Sequence, residues 1–205
     1  MCSEIGEEIE ESCMQRNKSD IVSGIVEILL DNSSNKDLAK TIINEQYPHT
    51  VYNTKKRTYT ISQKMEQFVK DGFIDRYTGQ RLLNPGILKA LSVYFPDEFP
   101  YHPHWKMTET HMAYWDLTPT IDHIYPIAKG GVDDSSNWVT TSMKNNSIKS
   151  NYTIDEIHWT IYPCGDVAVW DGLTNEFIKL VENDKSLLND NYIKNWYCIS
   201  KKQIV

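Results

Sequence analysis

No run of about 18 consecutive apolar residues occurs in this chain, so no membrane-spanning helix is expected. Cysteine is scarce and unpatterned. Cys2, Cys13, Cys164 and Cys198 lie far apart, which speaks against a disulfide framework and for free thiols in a reducing cytoplasm. The opening Met-Cys-Ser-Glu-Ile-Gly-Glu-Glu lacks the basic-then-apolar layout of a secretory signal, so a cytoplasmic protein is expected. Internal repeats and low-complexity tracts are missing. An excess of positive charge is also missing, since the net charge is −7. What is there is ordinary for a globular protein: 205 residues, 40% hydrophobic and 24% charged, enough for one domain or a small domain with an appendage.

The acidic balance argues at first against a nucleic-acid partner, because phosphate contacts need Lys and Arg. The distribution of charge reverses that reading. Residues 1–53 carry 4 basic and 10 acidic side chains, whereas residues 54–90 carry 8 basic and 3 acidic. Lys55, Lys56, Arg57, Lys64, Lys70, Arg76, Arg81 and Lys89 thus form a local stripe of net +5 just before the most chemically suggestive part of the chain.

Hydrophobic spacing divides the chain as follows. Ile5, Ile9 and Cys13 recur four apart and suggest a first amphipathic helix. Ser19-Asp20 are candidate caps for a second over 21–31, and Ser34-Asn35 for a third near 36–46 that ends by Pro48. Residues 60–70 read as a further helix, stopped by Asp71-Gly72 and followed by a strand and tight turn over 73–79. Residues 84–116, with four prolines and many aromatics, read as an irregular but packed insert. Strands are expected over 119–127 and 138–141, then a helix over 143–150 capped by Ser142. Two more helices follow, one after Trp170-Asp171-Gly172 and one over 190–198. This is an α+β chain with a helical N-terminal region, 1–54, ahead of a domain over 55–205 whose last part, 151–205, is helical.

The chemistry concentrates in residues 119–149. Asp122 and His123 stand side by side on the first strand, Gly130-Gly131 permit a tight loop, Asn137 opens the second strand, and Asn146 lies on the helix. A phosphodiester hydrolase needs an activated water, a cation for the charge growing on the phosphoryl oxygens, and fixed alignment. Magnesium takes hard oxygen ligands and keeps several waters, so Asp122 with Asn146 is a sufficient protein contribution. Histidine's intrinsic pKa lies near neutrality, so His123 suits the general base. Asn137 can either hold the loop or orient the imidazole. Neighbouring strand residues point to opposite faces. The backbone must therefore bend or end here, or a phosphate must be straddled, so that both groups reach it. Lys144 and Lys149 on the helix, with Arg76, Arg81, Lys55, Lys56 and Arg57 from the stripe, are the candidate nucleic-acid contacts.

Together, Asp-His, a Pro three residues after the His, Gly-Gly, Asn before the second strand and Asn-x-x-Lys on the helix resemble the HNH endonuclease motif. The resemblance implies a ββα-metal (HNH/His-Me finger) core at about 117–150. It also implies a divalent cation, Mg²⁺, Mn²⁺ or another, and DNA as substrate, with RNA not excluded. Many HNH proteins carry two flanking Cys-x-x-Cys pairs that hold zinc. Here Lys70-Asp71-Gly72-Phe73 leads to Asp75 and Thr78 at the first pair's positions, and Ser142 and Asn145 take the second's. No structural zinc is expected, and the aromatic insert at 94–115 is a candidate source of packing in its stead.

Alternatives stay in view. A non-catalytic nucleic-acid or partner-binding module on the same scaffold needs no base beside a metal ligand. A toxin-like ribonuclease would share the motif. His102, His104 and His111, with Cys164 or His158, show no recurrent ligand spacing, and Pro100 and Pro103 among them suggest turn packing. Cutting both strands with one site per chain would call for a homodimer.

Overall fold

A computed structural model describes residues 18–31, 35–49 and 57–203. The chain divides into two compact units, Met1–Tyr52 and Asn53–Val205. The helix expected around Ile5, Ile9 and Cys13 lies outside the described residues, as do Lys55 and Lys56. No described helix is long and apolar enough to cross a membrane.

Among the described residues of the first unit are two helices, α1 (Lys18–Leu30) and α2 (Lys36–Gln46), packed on each other. α1 starts before Ser19 and Asp20, so these fall in its first turn and do not cap it. Asn35 does cap α2, its side chain accepting from Leu38 N at 3.0 Å.

In the second unit, α3 (Ile61–Lys70) begins with a capping box, in which Thr60 accepts from Gln63 N and Gln63 from Thr60 N. Its face of Met65 and Phe68 enters a core shared with α4 (Pro85–Tyr94), α7 (Thr174–Asn183) and α8 (Asn191–Gln203). Phe68 stacks on Trp196 at 6.2 Å, while Phe177, Val181 and Ile193 fill the centre. α4 corrects the expectation of an irregular insert. Asn84 caps it and Pro85 occupies its first turn, where proline's fixed φ and missing N–H cost nothing. The rest of the insert is irregular until a short helix, α5 (Ala113–Leu117).

Next comes a strand–loop–strand–helix unit: β1 (Pro119–His123), β2 (Trp138–Ser142) and α6 (Met143–Lys149). The strands pair antiparallel, with Asp122 opposite Val139 and His123 opposite Trp138. β1 is shorter than the expected 119–127 because the chain turns away before Pro126. Ser142 caps α6 by accepting from Asn145 N at 3.1 Å.

Two buried carboxylates join this unit to the turn after α3. Asp71 Oδ2 accepts from Thr140 N at 2.6 Å and Gln67 Nε2 at 2.7 Å, and its Oδ1 pairs with Arg76 at 2.7 Å. Asp75 Oδ1 accepts from Tyr77 N and Thr141 Oγ1, and Oδ2 from Ser142 N and Asn145 Nδ2, all within 3.0 Å. Thus Asp75, Ser142 and Asn145, three of the four positions where the resemblance has zinc ligands, meet through hydrogen bonds on one carboxylate. Thr78 stays outside and exposed. α5, at the end of the aromatic insert, packs on α6 and β2, but the turn carrying Asp71 and Asp75 has a further cover. That comes from residues 159–165, where Tyr162 N donates to Arg76 O, Gly165 N donates to Asp71 O, and Trp159 lies 5.3 Å from Tyr77. Gly72, at φ 66°, is pressed so closely on Gly165 that a Cβ there would meet its carbonyl carbon at 2.3 Å.

Asp75→Ala leaves four donors unanswered, two of them backbone groups, in a site without water access. It should lower the unfolding free energy by about 3–5 kcal/mol, as read by urea titration followed by circular dichroism. A loss below about 1 kcal/mol would show that Asp75 does not hold these segments together.

Candidate active site

The ribbon of β1 and β2 presents two faces; of the alternatives at Asp122-His123, the chain does not bend between them, and the strand ends at His123. Alternation sends them opposite ways. His123 and its cross-strand neighbour Trp138 lie on the side of Tyr59, just ahead of α3. Asp122 lies on the other side, with α6 and Tyr77.

On the α6 side, Asp122 Oδ2 accepts from Tyr77 Oη at 2.7 Å and pairs with Lys149 Nζ at 3.1 Å. Its Oδ1 takes neither contact. Burial pushes the Tyr77 phenol far above its ordinary range, and the Asp122 charge adds to this, so Tyr77 stays a protonated donor. Asn146 Nδ2 donates to Thr120 Oγ1 at 3.0 Å and Ile121 O at 3.3 Å. A backbone carbonyl only accepts, so it fixes which end of the amide faces the strand, and the Asn146 oxygen is turned outward. Thr120 shares a ribbon face with Asp122, which brings Asn146 and Asp122 to the same side.

Lys149, one turn beyond Asn146, has no exposed surface. Its ammonium donates to His123 O at 2.7 Å as well as pairing with Asp122. The expected phosphate contact is therefore replaced by an internal one, the buried cation tying α6 to the end of β1. Lys144 remains outside, paired with Asp116 at 3.0 Å.

On the other face, His123 is 5% exposed. Its Nε2 lies 2.8 Å from Asp133 Oδ1, which also accepts from Tyr59 Oη at 2.9 Å and Trp138 Nε1 at 3.1 Å. Burial tends to raise the Asp133 carboxyl, but the hydrogen bonds from His123, Tyr59 and Trp138 together hold it below its ordinary value. Burial, followed by the hydrogen bond to Asp133, pushes Tyr59 up. Arg57 Nη1 stands 3.5 Å from the other ring nitrogen, Nδ1.

Asn137 holds the loop. Its amide accepts from Tyr125 N and donates to Tyr125 O and Val132 O, each at 2.9 Å, and none of these bonds reaches the imidazole. Gly131 is needed there, since a Cβ would meet Tyr125 O at 2.1 Å.

The basic stripe disperses in three dimensions. Arg76 is bound by Asp71 and by Tyr162 O, and so does not serve as a surface phosphate contact. Lys70 donates to Ser135 O. Arg81 lies over Trp170 at 4.8 Å, and Lys89 over Tyr101 at 3.8 Å and 3.5 Å from Asp190. Of the described stripe residues, Arg57 is the one these contacts carry to His123.

Asp133 and Tyr59 were not singled out from the sequence. Asp133 sits in an Asp-Asp pair that reads as turn chemistry, and Tyr59 is joined to it only by the fold. His102 Nδ1 accepts from His104 N and Nε2 lies 3.7 Å from Glu109, while His111 stacks on Phe99 at 4.1 Å. Among the described residues, no three His, Cys, Asp or Glu side chains gather as a metal cluster. Comparison with known proteins gave no match to a family model, a curated protein or a solved structure.

Lys149→Met strips the counter-cation from a buried carboxylate. The expected cost is about 3–5 kcal/mol of unfolding free energy, measured by urea denaturation. Unaltered stability would mean that Asp122 is not balanced by this ammonium.

Proposed function

We propose that this chain is a metal-dependent endonuclease of the HNH type, built on a ββα-metal core and acting on DNA. The observation that carries the reading is the pair of faces at the end of β1. An imidazole, anchored at one nitrogen, stands on one side, and a carboxylate with an outward-turned amide oxygen on the other.

The donor set suits a hard divalent cation. Asp122 Oδ1 and the Asn146 amide oxygen are both oxygens, share a face, and are not taken up by the contacts that fix their residues. A magnesium or manganese ion held there would supply positive charge to the phosphoryl oxygens and the leaving group. His123 accepts a proton from the attacking water at Nδ1. Arg57, now facing that nitrogen, is drawn onto the phosphate when substrate arrives, which uncovers Nδ1 and adds a charge-assisted contact. Lys149 and Tyr77 hold the Asp122 carboxylate in place through its second oxygen. A phosphate at the strand's end is straddled by the two faces.

A second reading is a nucleic-acid-binding module that does not cut. The Lys149 ammonium at Asp122 favours it, because a cation already sits at the carboxylate.

Purified protein should nick plasmid in the presence of Mg²⁺, Mn²⁺, Co²⁺ or Ni²⁺ and lose that activity in EDTA. His123→Ala should abolish cleavage and keep DNA binding within about twofold, since the base supplies little affinity. Intact plasmid across all four metals, with tight salt-dependent DNA binding, would select the non-cutting module. Matched DNA and RNA strands decide between the two substrates. Arg57→Ala should lower the slope of log affinity against log salt by about 1, as measured by fluorescence anisotropy; an unchanged slope would remove Arg57 from the interface.

A further inference from the structure

We propose that Asp133 is the positioning residue of His123: it holds the imidazole through Nε2–H, so that Nδ1 is the nitrogen presented to the reacting water. The inference rests on the nuclease reading for its catalytic consequence, but its geometry stands without it.

The argument is one of donors and acceptors. Asp133 Oδ1 receives Tyr59 O–H at 2.9 Å and Trp138 Nε1–H at 3.1 Å. Both are donors, so the oxygen they meet is an acceptor. An ionised carboxylate has no proton to give. The 2.8 Å contact from His123 Nε2 must therefore be made by an N–H, which places the neutral ring's single proton on Nε2 and the lone pair on Nδ1. Three donors converging on one oxygen leave it little room to move.

The position of Asp133 is itself fixed at several points. Asn137 Nδ2 holds the preceding residue through Val132 O. Asp134, the next residue, accepts from Ser136 N at 2.8 Å and turns the chain back. Trp138, which supplies one of the three donors, is also the cross-strand partner of His123. Hence Asn137 orients the base at one remove: it sets the loop, the loop sets Asp133, and Asp133 sets the ring. Tyr59 reaches the same oxygen from the segment that carries Arg57, so the base is held and faced by one stretch of chain.

The test uses the full chain with histidine rings labelled with ¹⁵N, at about pH 8.5, where an ordinary imidazole is neutral. Wild-type His123 is expected to show the Nε2–H tautomer; in Asp133→Ala the ring signals should shift towards a mixture. Plasmid nicking with Mn²⁺ should show kcat falling about a hundredfold in Asp133→Ala, with DNA affinity unchanged, less in Asp133→Asn, and partly restored in Asp133→Glu. An Nδ1–H tautomer in the wild type, or full kcat in Asp133→Ala, overturns the proposal. Failure of the wild type to cut with any metal sinks the nuclease reading, and the ring signals still decide whether Asp133 holds the imidazole as described.

Discussion

The architecture of the second unit depends on two carboxylates that have no contact with solvent. Asp71 and Asp75 follow α3 by one and five residues, and each reaches across to β2 or the start of α6. Burying a carboxylate is costly unless every lone pair is answered. Here the answers include backbone N–H groups of Thr140 and Ser142, which would otherwise be unsatisfied themselves. Each carboxylate thus solves the problem posed by the other segment. The result is directional, as packing alone is not: Ser142 and Asn145 are held at defined positions, so the register of α6 is set, and with it the placement of Asn146 and Lys149. Tyr77, two residues after Asp75, is carried to Asp122 by the same turn.

With α6 fixed in this way, the ribbon's period of two does the sorting. Thr120 and Asp122 face α6; Ile121 and His123 face α3. Ile121 is drawn into the apolar core, and His123, next on that side, ends at its rim beside Tyr59. A strand that kept both groups on one face would need a bulge, and none is present. The separation leaves Asp122 and Lys149 on one face and the His123 ring on the other. The imidazole's immediate charged neighbours are Asp133 and Arg57, one at each nitrogen.

Local signals in the sequence were legible where chemistry and geometry are both local. Ser142 before α6, Asn35 before α2, the break at Asp71-Gly72 and the helix after Gly172 follow from caps and stops. So does the hairpin between Asp122 and Asn137, since Gly-Gly and a terminal Asn mark a tight return. What could not be read from the sequence depends on long-range partners. Arg76 and Arg81 look alike in sequence, yet one is half-buried and paired with Asp71 and the other lies over an indole. Lys149 reads as a surface cation because lysine usually is one; only the convergence of Asp122 and the His123 carbonyl makes its interior site tolerable. Asp133 carries no periodic or motif signal, and its importance appears once three donors are seen to meet on it. The helix over 85–94 was obscured because proline counts as a breaker in composition but as a starter in the first turn.

The dispersal of the basic stripe changes how the negative chain can meet a polyanion. A broad cationic face would attract DNA regardless of what lies at its centre. Here Arg76 and Lys89 are neutralised by Asp71 and Asp190, and Lys70 is tied to a carbonyl. The described guanidinium that reaches the site is Arg57, adjacent in sequence to Lys55 and Lys56. The cation of the stripe that these contacts place at the ribbon's edge is therefore the one beside His123. On the nuclease reading proposed above, a phosphate bound there would lie next to Nδ1 and the end of β1, between the two faces. On that reading, charge placement and ribbon alternation would favour the same approach.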